Sequence, residues 1–171
     1  MGGRERVREV IVRRASRRDL DVIAEIISKG SNGRMILDES ALLERLFEWG
    51  YWVSATGKVM GVVGWQATNF IACLRDFYVY PPVVRRRMGF PLLQRIEEEA
   101  KTLSCEVALL LVDRGSSWRA IKFYRELGYR RAEVERMVKA WREVAEEHMS
   151  TDEIVLFKKL IERRIMAPVQ G

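Results

Sequence analysis

Six consecutive apolar residues, Val107-Ala108-Leu109-Leu110-Leu111-Val112, lie between two segments of helical spacing. A strand turns alternate side chains to opposite faces, so a strand without a polar position is covered on both. Helices above and below a sheet give that cover, and their crossover connections imply parallel strands. The flanks supply such helices. Before the run, Leu92, Leu93, Ile96, Ala100 and Leu103 form one stripe, with Glu97-Glu98-Glu99 as a solvated face. After it, Ser116 or Ser117 can cap a helix carrying Ala120, Ile121, Phe123, Tyr124 and Leu127, which stops at Gly128.

The rest of the chain is read by the same switch of period. Val7 to Val12 is a first strand. Ser16, with Asp19 three residues on, opens a helix through Leu20, Ile23, Ile26 and Ile27, and Lys29-Gly30-Ser31-Asn32-Gly33 closes it. Asp38 caps a second helix with Leu42, Leu43, Leu46, Phe47 and Trp49 apolar, ended by Gly50. Tyr51 to Ala55 and Val59 to Ala67 form a hairpin around Thr56-Gly57-Lys58, and Ile71 to Val79 is a further strand before Pro81-Pro82. Arg85-Arg86-Arg87-Met88-Gly89 reads as a basic loop, with the next helix starting near Phe90-Pro91, since proline suits a first turn. Tyr129 to Ala132 is short and extended, Glu133 to Glu147 a helix, and Ile154 to Phe157 a last strand. The expectation is an α/β fold with a mixed, partly parallel central sheet and helices on both faces. It forms a single domain over residues 1–171, with an extra helix at about 133–147 before the last strand.

Composition narrows the function classes. The chain has 171 residues, 48% of them hydrophobic, which suits one core and excludes a disordered chain. Its net charge is +6, and 23 of its 30 basic residues are Arg. Such an excess fits an anionic partner: nucleic acid, an acidic membrane face or a phosphate-bearing cofactor. No apolar run approaches the roughly 18 residues of a membrane span, and the charged N-terminus lacks a signal core, so a cytoplasmic protein is expected without a membrane partner. Cys73 and Cys105 form no CxxC and read as buried thiols. With His148 as the one histidine, neither a His-based triad nor a metal site is expected.

Two segments carry chemistry. Leu74-Arg75-Asp76-Phe77-Tyr78-Val79-Tyr80-Pro81, the basic turn and the following helix together make an anion site. Helix N–H groups and about half a positive charge of helix dipole face outward there, beside Arg85, Arg86 and Arg87. The second segment, Ser117 to Tyr129, sets the Tyr124 hydroxyl near the end of a helix that follows the buried strand.

In this order the two segments resemble the GNAT superfamily of acetyl-CoA-dependent N-acetyltransferases. The family pattern is a strand with V-x-P, then Q/R-x-x-G-x-G/A, and later N-x-x-A-x-x-F/L-Y-x-x-x-G-F. Val79-Tyr80-Pro81 matches the first element, and Ser117, Ala120, Phe123, Tyr124, Gly128 and Tyr129 the last. Aligned without gaps, Val84 takes the Q/R position, Arg87 the first Gly and Gly89 the second; one inserted residue gives Arg86-x-x-Gly89-x-Pro91 instead. The resemblance spans about Val7 to Phe157 and implies the GNAT-like acyl-CoA N-acyltransferase fold.

It also implies roles. Acetyl-CoA would be the acyl donor and a primary amine the acceptor, attacking directly and without a metal. The pantetheine arm would pair with the backbone of Phe77, Tyr78 and Val79. The pyrophosphate would sit beyond Val84 on the N–H groups of Arg85, Arg86, Arg87, Met88, Gly89 and Phe90. Ser117 replaces the family's Asn beside the pantetheine, next to Ala120 and Phe123, and Tyr124 would protonate the departing thiolate. The family's carboxylate base often lies on the strand before V-x-P. Alternation puts Cys73, Arg75, Phe77 and Val79 on one face and Asp76 on the other, unless a bulge re-aims it. Asp76 is the candidate base, with Glu39, Glu106 and Asp113 unranked beside it. The acceptor would enter past Lys29 to Leu37, with Arg34 and Met35 at the centre of that loop.

The 133–147 helix departs from the family. Its apolar face of Val134, Met137, Val138 and Trp141 could pack on the sheet, cover the acceptor site or make a homodimer contact. A second reading is a non-catalytic or regulatory acyl-CoA-binding protein on the same fold, since Arg87 stands where the family has Gly. No nucleic-acid module is recognised, so nucleic acid is not expected as a partner.

Overall fold

In the computed structural model, which describes residues 9–161, the apolar run becomes strand β5 (Val107–Asp113), buried through Val112. Val107, Leu109 and Leu111 enter one core, and Ala108, Leu110 and Val112 the other. The strand lies inside a seven-stranded sheet of order β1-β2-β3-β4-β5-β7-β6. Its members are β1 (Ile11–Arg14), β2 (Gly50–Thr56), β3 (Lys58–Thr68), β4 (Ile71–Val79), β5, β6 (Arg130–Arg131) and β7 (Glu153–Lys159). The β4–β5 pair is parallel and every other pair antiparallel, so the expected mixed sheet is present.

Helices cover both faces. α1 (Leu20–Gly30), α2 (Glu39–Glu48) and α5 (Lys139–His148) bury Ile23, Ile27, Leu42, Val144 and Ala145 on one side. α3 (Arg85–Thr102) and α4 (Trp118–Glu126) bury Met88, Leu92, Leu93, Ile96 and Phe123 on the other. Each fully buried aliphatic side chain contributes about 1.5–3 kcal/mol of transfer free energy. The predicted caps form: Ser16 N–H donates to Asp19 Oδ2 at 2.7 Å, Ala41 N–H to Asp38 Oδ1 at 2.7 Å and Ala120 N–H to Ser117 Oγ at 3.2 Å. No helix of the described residues is long and apolar enough to cross a membrane.

Four expectations are corrected. The first strand runs over Ile11–Arg14, later than expected; Val7 and Arg8 lie outside the described residues. The basic segment is helix, not loop. Pro82–Val84 form a 3-10 turn that starts α3 at Arg85, with Arg85 N–H bound to Pro82 O. Pro91 is thus inside the helix, where it lacks the N–H that would reach the Arg87 carbonyl. The expected helix at 133–147 is split: a 3-10 turn (Val134–Arg136), then extended Met137 (ψ 152°) and Val138 (ψ 139°), then α5. β-branched Val134 and Val138, without a capping side chain, make a helix start there weak.

The fourth correction shapes the site. Gly64 faces Arg75 and Val62 faces Tyr78, so Val63 opposes both Asp76 and Phe77: a bulge in β4. Asp76 takes φ +51°, a left-handed conformation that Asp tolerates better than most residues. The extra residue resets the alternation. Cys73 packs on the α1–α2 side while Phe77 and Val79 enter the α3–α4 core, so the four residues expected on one face are divided.

Candidate functional site

The bulge opens the sheet. β4 and β5 pair from Ile71–Val107 to Leu74–Leu110 and then part. Beyond Leu74, β4 backbone groups on the β5 side have no ladder partner, and such groups bind an extended amide chain well. The gap is a groove of about 340 Å³ walled by Tyr78, Arg85, Asp113, Ser117, Phe123 and Tyr124. Two helix N-termini flank it, Arg85 beginning α3 and Ser117 capping α4, so it suits an anionic ligand.

The sequence candidates divide around this groove. Phe77 and Val79 are buried in its floor, and the Phe77 ring stacks 6.2 Å from Phe123 and is tilted against Tyr124 at 6.0 Å. Arg85 lines the groove and lies 6.0 Å over the Phe123 ring. Arg86 turns away to Glu126 at 2.7 Å, and Arg87 reaches Thr56 Oγ1 at 3.5 Å. Val84 packs against the core and Met88 is fully buried within it. In a helix begun at Arg85, the N–H groups of Gly89 and Phe90 bond back to Arg85 and Arg86 carbonyls, so the donors facing a ligand belong to the first turn alone. Gly89 serves packing: a Cβ there would lie 2.7 Å from Phe123 Cζ and 3.1 Å from Phe77 Cζ. Phe90 meets Phe123 edge-on at 5.6 Å. Ala120 lies under the Ser117 cap.

The Tyr124 hydroxyl has no protein hydrogen-bond partner among the described residues and faces the groove. Burial pushes it up to about 12, against a lowering by the Arg85 charge, so it is a protonated donor at neutral pH. Burial also raises the Tyr78 hydroxyl well above the phenol range, and Asp113 adds to this by accepting its hydrogen bond at 3.0 Å. Ser117 Oγ accepts the Ala120 N–H and keeps its own proton to donate.

Asp76 points elsewhere. Its Oδ2 accepts from Arg45 Nη1 at 2.7 Å and from the Tyr51 hydroxyl, with Arg75 Nε at 3.5 Å. Arg45 and Arg75 form part of the wall of a second cavity of about 720 Å³. The two cavities meet at Arg34 and Asp113, which line both. Arg34 crosses between loops, donating to Ser31 O at 3.3 Å and Gly115 O at 3.2 Å. Of the other carboxylates considered, Glu39 is exposed at the start of α2, and Glu106 lies beside the Phe70 carbonyl at the opposite end of β5. Asp113 alone among the four stands at the junction.

Sequence reasoning missed Arg45, Tyr51 and the Tyr78–Asp113 bond. It also missed His148, which lines the second cavity against Gln66 at 3.1 Å and the Trp49 ring at 4.9 Å. These partners are 25 to 99 residues apart, so no local spacing reports them. Among the described residues no group of three or more His, Cys, Asp or Glu is arranged to hold a metal. Both cysteines are buried, and burial pushes the Cys73 thiol up to about 12, which makes it a packing residue.

A model of the acetyltransferase (GNAT) family matches residues 25–129. No curated protein matches the sequence. Solved structures share the fold at low identity. A GNAT-family acetyltransferase from Staphylococcus aureus superposes with TM-score 0.68 at 15% identity, over 89% of this chain and 99% of that one. The PaiA N-acetyltransferase of Thermoplasma acidophilum, solved with coenzyme A, gives 0.67 at 16%, over 88% and 99%. The ribosomal-protein-S18-alanine N-acetyltransferase of Escherichia coli gives 0.68 at 17%, over 92% and 98%.

Proposed function

The chain belongs to the acetyltransferase (GNAT) family, and on that premise we propose that it moves an acetyl group from acetyl-CoA to a primary amine by direct attack. The observation that carries this reading is Tyr124, an unpartnered, protonated hydroxyl in the groove between the parted strands. A thiolate leaving in that groove needs a proton, and a positioned O–H supplies it.

In this reading the pantetheine lies along Phe77, Tyr78 and Val79, and the pyrophosphate lies at the first turn of α3. Arg85, not Arg86 or Arg87, meets the phosphates, since it lines the groove. Ser117 donates to the pantetheine. The amine enters from the second cavity, its nitrogen attacks the thioester carbonyl, the C–S bond breaks and Tyr124 protonates the sulfur. The ammonium proton leaves through Asp113, the carboxylate shared by both cavities. Asp76 then positions Arg45, Tyr51 and Arg75 rather than taking a proton.

Release of free thiol from acetyl-CoA, followed with a chromogenic disulfide across an amine panel, tests the reaction. Calorimetry with coenzyme A tests the groove separately. One observation favours a non-catalytic acyl-CoA-binding role: Asp76, the candidate strand carboxylate, is committed to three partners. Turnover of any amine excludes that role.

A further inference from the structure

The second cavity is bipolar. Among the described residues Asp76 is the one carboxylate within ion-pair distance of the two guanidiniums that line it, Arg45 at 2.7 Å and Arg75 at 3.5 Å. Both guanidinium side chains are mostly buried, 26% and 18% exposed, and they share that one close carboxylate. The 3.5 Å contact lacks hydrogen-bond geometry, and the buried Arg75 Nε–H has no acceptor. The Arg75 guanidinium carbon also lies 5.2 Å over the Trp49 ring, a cation–π contact. Arg34, which lines both cavities, contacts two carbonyls and, among the described residues, no carboxylate. The same lining carries Arg114 and three carboxylates, Asp113 at the junction with the groove and Asp152 and Glu153 at the start of β7, and Glu153 and Arg75 both act on the buried Cys73 thiol.

A buried guanidinium with an unsatisfied N–H is costly unless an acceptor completes it, and a carboxylate is the strongest such acceptor. An ammonium, in contrast, is drawn to Asp113, beside the groove. We infer that the acceptor is an amino acid, an amine whose own carboxylate is held by Arg45 and Arg75 while its nitrogen lies against Asp113. A polyamine would set a second ammonium against the arginines, and like charges in a half-buried site repel strongly. An amine without an acceptor group would leave the Arg75 N–H unsatisfied. Planar guanidiniums suit a carboxylate because they grip it with two parallel N–H bonds.

This inference rests on the acetyltransferase reading, so the test separates the two. Thiol release from acetyl-CoA is measured with amino acids, their carboxamides, their decarboxylated amines and a peptide with a free N-terminus and an amidated C-terminus. The expected result is a kcat/KM at least about tenfold higher for the amino acids than for the carboxamides, the share of one charge-assisted hydrogen bond. Arg45→Lys and Arg75→Lys keep a cation beside Asp76 but lose the fork. They should raise the amino-acid KM about tenfold and leave the acetyl-CoA KM unchanged. Equal or better turnover of carboxamides, amines or the amidated peptide overturns the inference and leaves the transferase reading standing. Coenzyme A binding without turnover of any amine overturns both. The wild-type panel decides even if a variant fails to fold.

Discussion

Tyr78 on β4 donates a hydrogen bond to Asp113 on β5 at 3.0 Å, across the gap where those two strands have parted. It is a side-chain bridge where ladder bonds have ceased. Tyr78→Phe should lower stability by about 1 kcal/mol, the net worth of one such bond. Thermal melting of the variant checks this. A melting temperature equal to that of the unchanged protein would show that the bridge adds nothing.

Four tyrosines, 51, 78, 124 and 129, are raised above the phenol range, each first by burial. A group raised in the folded state favours folding fully below its unfolded value. That stability is lost as pH climbs past ~10, because the unfolded chain then releases protons that the folded one keeps. Denaturant midpoints should begin to fall near pH ~8.5, where the unfolded Cys73 thiol ionises, and fall more steeply above ~10 as the tyrosines join it. Replacing Tyr78 by Phe should shallow the fall, which chemical melts at several pH values will record.

Tyr124→Phe should cut kcat by ~10²–10⁴-fold, the usual span for a lost general acid, with the acetyl-CoA KM little changed. Because its hydroxyl is pushed up to about 12, the acid stays protonated through the working range. The pH–kcat profile of the unaltered enzyme should therefore show no alkaline limb below pH 10.

Arg85 and its neighbour Arg86 should differ sharply. Arg85→Gln should raise the acetyl-CoA KM about tenfold, less so at high salt. Arg86→Gln loses an exposed pair with Glu126 and should change KM less than about twofold. Parallel KM measurements at two ionic strengths decide; equal effects would contradict the geometry.

Asp76→Asn should act on folding more than on chemistry. It leaves Arg45 and Arg75 without their carboxylate, at a cost of about 3–5 kcal/mol. Comparable loss of kcat in a variant that melts normally would return Asp76 to the role of base.

Much of the frame is legible in the sequence. The bounds of β4 and the double-faced burial of β5 follow from period alone, and the cap at Asp38 from residue type, which for α4 leaves Ser116 and Ser117 open where the structure shows Ser117. Period predicts only the burial of Tyr124, which the structure shows, and the motif is what proposes a role for it. The start of α3 escapes because Pro91 resembles a first-turn proline, while Pro82 and its 3-10 turn start the helix instead. The bulge at Asp76 escapes because strand alternation assumes one residue against one. Arg45 and Asp76, 31 residues apart, meet only once α2 lies on the sheet.

The short parallel seam of four residue pairs, Ile71–Leu74 against Val107–Leu110, divides the sheet into two blades. One is β1 to β4; the other is β5, β7 and β6, laced along the whole of β5. Beyond the seam, spreading the blades breaks no backbone ladder and strains only side-chain ties such as Tyr78–Asp113. An extended guest seated there acts as an eighth strand, and its arrival completes the secondary structure of its host.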